Sequence, residues 1–96
     1  MRPDRLKISY KIIEKLEHKH RVKVDEVWEC FLNREYGFLE DTRLNHRTDP
    51  PTLWFIAETD TGRKLKVVFI ELNGNYEIKT AYEPNKNEVS IYEKYA

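Results

Sequence analysis

Apolar and polar positions follow two rhythms along this chain, one helical and one extended. Ile8, Ile12, Ile13 and Leu16, with His20 after them, recur at three- and four-residue spacing, which places them on one face of an α-helix. Ser9 is positioned to cap that helix, its hydroxyl accepting a first-turn N–H, so a helix is expected over about residues 10–20. The rhythm repeats after a short link at 21–24. Asp25 is the expected cap of a second helix whose apolar face is Val27, Trp28, Phe31 and Leu32, and the pair reads as a helical hairpin.

Beyond it the period changes to two. Residues 36–40 read as a short strand with a bend at Gly37, and residues 41–51 as a polar loop ending in Pro50 and Pro51. A loop that long in a compact domain is commonly a functional one. A meander follows: 52–59, a turn at Asp60, Thr61 and Gly62, then 64–71, a turn at Asn73 and Gly74, then 76–82. Asn-Gly between β-rich runs is a strong hairpin signal because both central residues take φ > 0. Val67-Val68-Phe69-Ile70 is apolar on both faces and marks a central strand. Pro84 closes the last strand, and Asn85 caps a terminal helix with Val89, Ile91, Tyr92 and Tyr95 on its apolar side. The fold expected is a single α+β domain over residues 1–96. It has two layers, an antiparallel sheet of about four strands with the helical hairpin and C-terminal helix on one face.

Composition narrows the function. Ninety-six residues that are 40% hydrophobic, with two Trp, six Tyr and four Phe, suffice for one modest core. No apolar run approaches the ~20 residues that span a bilayer, and a lone cysteine, Cys30, forms no internal disulfide, so a cytoplasmic location is expected. The net charge is zero but unevenly spread: residues 1–24 carry a surplus of five positive charges, residues 25–60 a deficit of six and residues 61–96 a surplus of one. The basic first helix can therefore attract anions locally, although the whole chain lacks the basic excess of most nucleic-acid binders.

Candidate chemistry is sparse. His18 and His20 lie on different sides of a helix, and neither CxxC nor HExxH occurs, so no metal is expected. Cys30, close to Glu26 and Glu29, reads as a packing residue rather than a nucleophile. Three glycines leave no room for a phosphate-cradling loop. What remains is a set of groups suited to metal-free phosphate chemistry. RNA cleavage by its own 2′-hydroxyl needs a base, an acid and cations that stabilise the phosphorane. His20, Tyr82 or Glu83 can move the protons, Lys19 and Arg63 can stabilise charge, and Lys66 and Lys79 can hold RNA. Each also has a plainer role: Lys19 and Lys66 as solvated charges, His20 at a helix C-terminus where cations are favoured, and Tyr82 packed on Tyr92.

Helix one ending in Lys19-His20-Arg21-Val22, the acidic VDEVWECF helix, the run Gly62-Arg63-Lys64-Leu65-Lys66-Val67-Val68 and the closing strand, Tyr/Glu and helix resemble the BrnT-like ribonuclease toxins of bacterial toxin–antitoxin pairs. The resemblance spans residues 8–92. It implies a RelE-like fold, an RNA substrate (free or ribosome-bound), a cognate antitoxin as partner, and activity carried by Lys19, His20 and Arg63. Arg21 stands where that family usually has glycine, and Tyr82 where its closing strand usually has arginine. The block EDTR…HRTDPPTLWFIAETDTGR…KTAYEPN is also similar to small, mainly cyanobacterial proteins, some labelled ADP-ribosyl-(dinitrogen reductase) hydrolase. Glu40, Asp41 and Asp49 share one loop without a second acidic cluster to complete a two-metal site, so that activity is not expected here. The alternative to the toxin is a non-catalytic module that holds a protein or small ligand with the 41–51 loop, through Arg43, His46 and Trp54. Tyr92 and Tyr95 offer a means of self-association.

Overall fold

The computed structural model describes residues 4–42 and 48–96. Five strands and three helices follow in the order β1 (Leu6–Lys7), α1 (Tyr10–Lys15), a π-helical continuation (Leu16–His20), α2 (Val24–Asn33), β2 (Leu39–Glu40), β3 (Thr52–Glu58), β4 (Lys64–Leu72), β5 (Asn75–Tyr82) and α3 (Lys86–Tyr95). The expected meander is present. Strands β2 to β5 are antiparallel neighbours, and the β4–β5 turn has φ of 53° at Asn73 and 79° at Gly74, the geometry a two-residue hairpin loop requires. Tyr10 and Ser9 begin the first helix as expected, Ser9 Oγ accepting the Ile12 N–H at 3.2 Å.

The short strand expected over residues 36–40 shrinks to Leu39–Glu40, and three larger expectations change. The sheet has five strands and is mixed, because the two-residue β1 joins its edge parallel to β5, with Leu6 opposite Tyr76. Second, helix α2 begins earlier than Asp25: Lys23 is its N-cap, and the Glu26 carboxylate accepts the Lys23 N–H at 3.0 Å. A carboxylate at the third helical position does this work without a short polar cap.

The third change concerns the layers. Phe55, Val67 and Phe69 point to one face of the sheet, where Phe31 of α2 meets Phe55 and Phe69 at ring distances of 4.7 and 5.4 Å. Their strand neighbours Trp54, Lys66 and Val68 point to the other face. There Tyr92 of α3 packs on Trp54 at 5.7 Å. The C-terminal helix thus lies opposite the N-terminal hairpin, and the sheet is sandwiched between helices. Phe55, Phe69, Leu16, Leu65, Val22, Val27, Val67 and Cys30 are fully buried on the hairpin side. Among the described residues no helix is long and apolar enough to cross a membrane.

One irregularity aims the site. The β4–β5 register pairs Phe69 with Ile78 but Val68 with Thr80, leaving Lys79 as an extra residue in β5. Such a bulge reverses the alternation beyond it. Tyr82 consequently shares the α3 face with its register partner Lys66 rather than the hairpin face with Ile78.

Candidate functional site

Arg63 gathers the sheet, both hairpin helices and the approach to α3 into one corner. Its backbone is clamped by the turn before it: Thr59 donates its N–H to the Arg63 carbonyl at 2.8 Å, and Thr59 Oγ1 accepts the Arg63 N–H at 3.1 Å. Gly62, with φ of 87°, makes that turn possible. The guanidinium then reaches back. Nε donates to Glu83 at 2.9 Å, Nη1 to the Arg21 carbonyl at 2.8 Å and to the Glu26 carboxylate at 3.1 and 3.2 Å, and Nη2 to the His20 carbonyl at 3.2 Å. Four of the five guanidinium protons are engaged.

Two of those acceptors are helix-end carbonyls. The first helix widens to π geometry over Leu16–His20 and stops at Arg21 in the left-handed conformation, with the Val22 N–H returning to the Leu16 carbonyl at 2.9 Å. The last carbonyls lack intrahelical donors, and Arg63 supplies them. Burial opposes its charge, yet the Glu83 and Glu26 hydrogen bonds prevail and hold it more firmly protonated than usual.

The His20 ring lies against the Tyr82 ring, with centroids 5.6 Å apart. Burial, then the charges of Lys15 and Lys19, lower the His20 pKa below its ordinary 6.5, so the imidazole is neutral near pH 7 and able to accept a proton. Tyr82 keeps its proton more tightly than usual, through burial and its bond to Glu88. Its hydroxyl donates to Glu88 Oε2 at 2.9 Å, and Lys66 Nζ donates to the same oxygen at 2.8 Å. Lys66 is stacked 4.5 Å over Trp54 and 5.7 Å over Tyr82. Glu88 also closes a capping box with Asn85, and although burial opposes its charge, the Lys66 bond and the donors around it leave its pKa lowered.

Of the residues singled out in the sequence, His20, Arg63, Tyr82 and Glu83 meet here, and Lys19 is exposed beside His20. Lys66 is interior and ion-paired rather than solvated. Lys79 lines a separate groove with Lys7 and Ser9 at the start of α1. Tyr82 contacts His20 and Glu88, while Tyr92 contacts Trp54 and Tyr36. Cys30 is buried with Sγ 3.6 Å from the Ala57 carbonyl, and burial, with help from Glu29 and Glu26, pushes its pKa to about 12, so it is a packing thiol. Glu88 is not among the candidates the sequence offers, yet Asn85 and Glu88 at capping-box spacing mark where it is held. Arg43 and His46 lie outside the described residues.

Beside Lys66 and Glu88 a cleft of ≈ 620 Å³ runs between β2, β3 and α3, with Leu39, Trp54, Ile91 and Tyr95 among its walls. Among the described residues no three His, Cys, Asp or Glu side chains come together to hold a metal ion. No protein-family model matches this chain, and no curated protein or solved structure matches it either.

Proposed function

We propose that the chain is a metal-independent endoribonuclease of the toxin type, with His20 as the base at its centre. The observation that carries this reading is the contact among His20, Arg63, Tyr82 and Glu83, which come from three separate stretches of the chain: the end of the first helix, the β3–β4 turn and the end of β5. A neutral imidazole can take the 2′-hydroxyl proton, exposed Lys19 can stabilise charge developing on the phosphorane, and the imidazolium so formed can return its proton to the departing 5′-oxygen as the 2′,3′-cyclic phosphate closes. Arg63 differs from the role its charge suggests. With four protons engaged it positions the His20 backbone, and one Nη2 proton remains for an oxyanion. An antitoxin would act by covering this corner.

The test is purified protein with labelled RNA, with and without ribosomes, in excess EDTA. Cleavage leaving 2′,3′-cyclic phosphate ends is expected, reduced about 10²-fold or more in His20→Ala. Intact RNA in both conditions, or cleavage unchanged by His20→Ala, would refute the assignment.

A second reading has its own support. The ≈ 620 Å³ cleft with Trp54 in its wall and ion-paired Lys66 at its floor has the size and the mixture of apolar and polar lining of a small-ligand site. A binding module would leave RNA intact, and its ligand-induced rise in melting temperature would vanish in Ile91→Glu.

A further inference from the structure

The first helix carries lysines at four-residue intervals, Lys11, Lys15 and Lys19, about 6 Å apart along its axis and on one side of it. Leu16, buried, and Ile12, partly buried, each lie about 100° round the helix from the lysine before them and pack inward, so the stripe flanks the packed face and is held toward solvent. Lys11 and Lys19 are exposed and Lys15 half-exposed. At the N-terminal end of the helix a groove of ≈ 570 Å³ opens between β1, β5 and α1, with Lys7 and Lys79 in its lining. Lys79 is the bulge residue of β5, and it is exposed. At the other end stand Arg21 and His20. Glu14, Glu17 and Glu77 share this surface, three carboxylates against six cations.

Tyr10 adjoins the stripe. It is 75% exposed, more than any other large apolar side chain among the described residues, and His18 follows eight positions later, also exposed. Residues at 10, 14 and 18 form the neighbouring row of the same helix. A row of lysines beside exposed rings is the arrangement that binds single strands, phosphates on the cations and bases on the π-faces. An acidic protein partner would want apolar anchors, and Tyr10 is the one large apolar side chain this ridge exposes.

We propose that the ridge from the Lys7 and Lys79 groove along Lys11, Lys15 and Lys19 is a single-stranded RNA track that delivers the strand to His20, with Tyr10 stacking a base. The identity of the strand as RNA rests on the ribonuclease reading; the track itself rests on the ridge. Eleven residues from Tyr10 to His20 span about 16 Å. With phosphates every ~3.4 Å along a stacked strand and farther apart along an extended one, that length faces at most about five of them, and about four on a partly extended strand.

Fluorescence anisotropy with a 2′-O-methyl RNA 12-mer, which cannot be cleaved, tests this apart from catalysis. Binding should weaken with salt with a logarithmic slope of about −3, and Lys11→Gln/Lys15→Gln should lower affinity about tenfold and flatten the slope by about 1.4. Tyr10→Ala should lower affinity at least fivefold with the slope unchanged. The control Lys64→Gln/Lys86→Gln removes equal charge elsewhere and should change affinity less than twofold. Equal losses in the two lysine pairs, no binding at 50 mM salt, or equally tight displacement by poly-glutamate would overturn the track. Binding as stated together with failure to cleave ordinary RNA would sustain the track while removing the ribonuclease.

Discussion

Arg63 and Lys66 stand three residues apart and stabilise the molecule by opposite means. At the Arg63 corner, a planar fork bridges two carboxylates and two helix-end carbonyls, with a quarter of the side chain still exposed (26%). On the α3 face, a point charge at 7% exposure is held between the faces of Trp54 and Tyr82 with one carboxylate oxygen. Arginine suits the first because its donors diverge in a plane; lysine suits the second because its ammonium is compact and its stem apolar. The comparison teaches that a cation near a candidate site has first to be asked which internal acceptors it serves. Neither cation is wholly free for a phosphate, and under the proposed RNA track that role falls to the exposed lysines of the first helix.

The largest effect should come from the α3 face. Lys66→Met keeps the apolar stem but leaves the Glu88 carboxylate without its cation, and should cost about 3 kcal/mol in urea denaturation. Lys66→Met with Glu88→Gln should recover most of that, because a neutral pair avoids the buried unpaired charge. If the single variant costs less than about 1 kcal/mol, the Lys66 pair is solvated and the contrast with Arg63 collapses.

At the corner, Arg63→Ala strips donors from the His20 and Arg21 carbonyls and from Glu26 and Glu83. Partial exposure lets water replace some of them, so about 2 kcal/mol is expected in the same assay. Arg63→Lys should restore less than half, since an ammonium cannot span four divergent acceptors. Full restoration by lysine would show that charge alone, without the fork, holds the corner.

Much of the fold could be read because local chemistry and tertiary context agree. The β3–β4–β5 meander follows from β-branched runs separated by Gly62 and Asn73-Gly74, and the caps at Ser9 and Asn85 from side chains that bond their own first turn. What stayed hidden depends on partners far away in sequence. Two residues, Leu6 and Lys7, carry no strand pattern until Tyr76 and Glu77 lie alongside. The side of the sheet chosen by α3 depends on Trp54 and Lys66, not on the helix's own periodicity. The residue types of the site were visible, but not the bulge at Lys79 that turns Tyr82 toward Lys66 and Glu88, nor the acceptors that consume Arg63.

Acidity should separate the regions further, with effects smaller than the substitutions. His20 has a lowered folded pKa, so its contribution is fully present above the unfolded value of ~6.5 and is lost as pH falls toward the folded value. Glu88 is also lowered, so its contribution is present above the unfolded carboxylate value of ~4.3 and is lost only as pH falls through its folded value. The corner should therefore weaken first on acidification. Imidazole NMR should show His20 titrating below the ordinary value of ~6.5, and Lys15→Gln/Lys19→Gln should move it upward. An unmoved midpoint would remove those lysines as a cause.

The smallest effect expected is a gain. Arg21 ends the first helix at φ 54° and ψ 42°, a left-handed conformation in which a Cβ crowds the carbonyl. Its carbonyl serves Arg63, but its side chain is exposed, so the position uses the backbone of this residue far more than its charge. Arg21→Gly should therefore relieve strain while leaving the Arg63 bond in place, raising stability by about 0.5 kcal/mol after the extra freedom of glycine in the unfolded chain is set against it. The same substitution in an Arg63→Ala background should gain a similar amount if strain and fork are independent. A loss in either background would mean that the Arg21 side chain itself supports the corner, and that the fork does not act alone there.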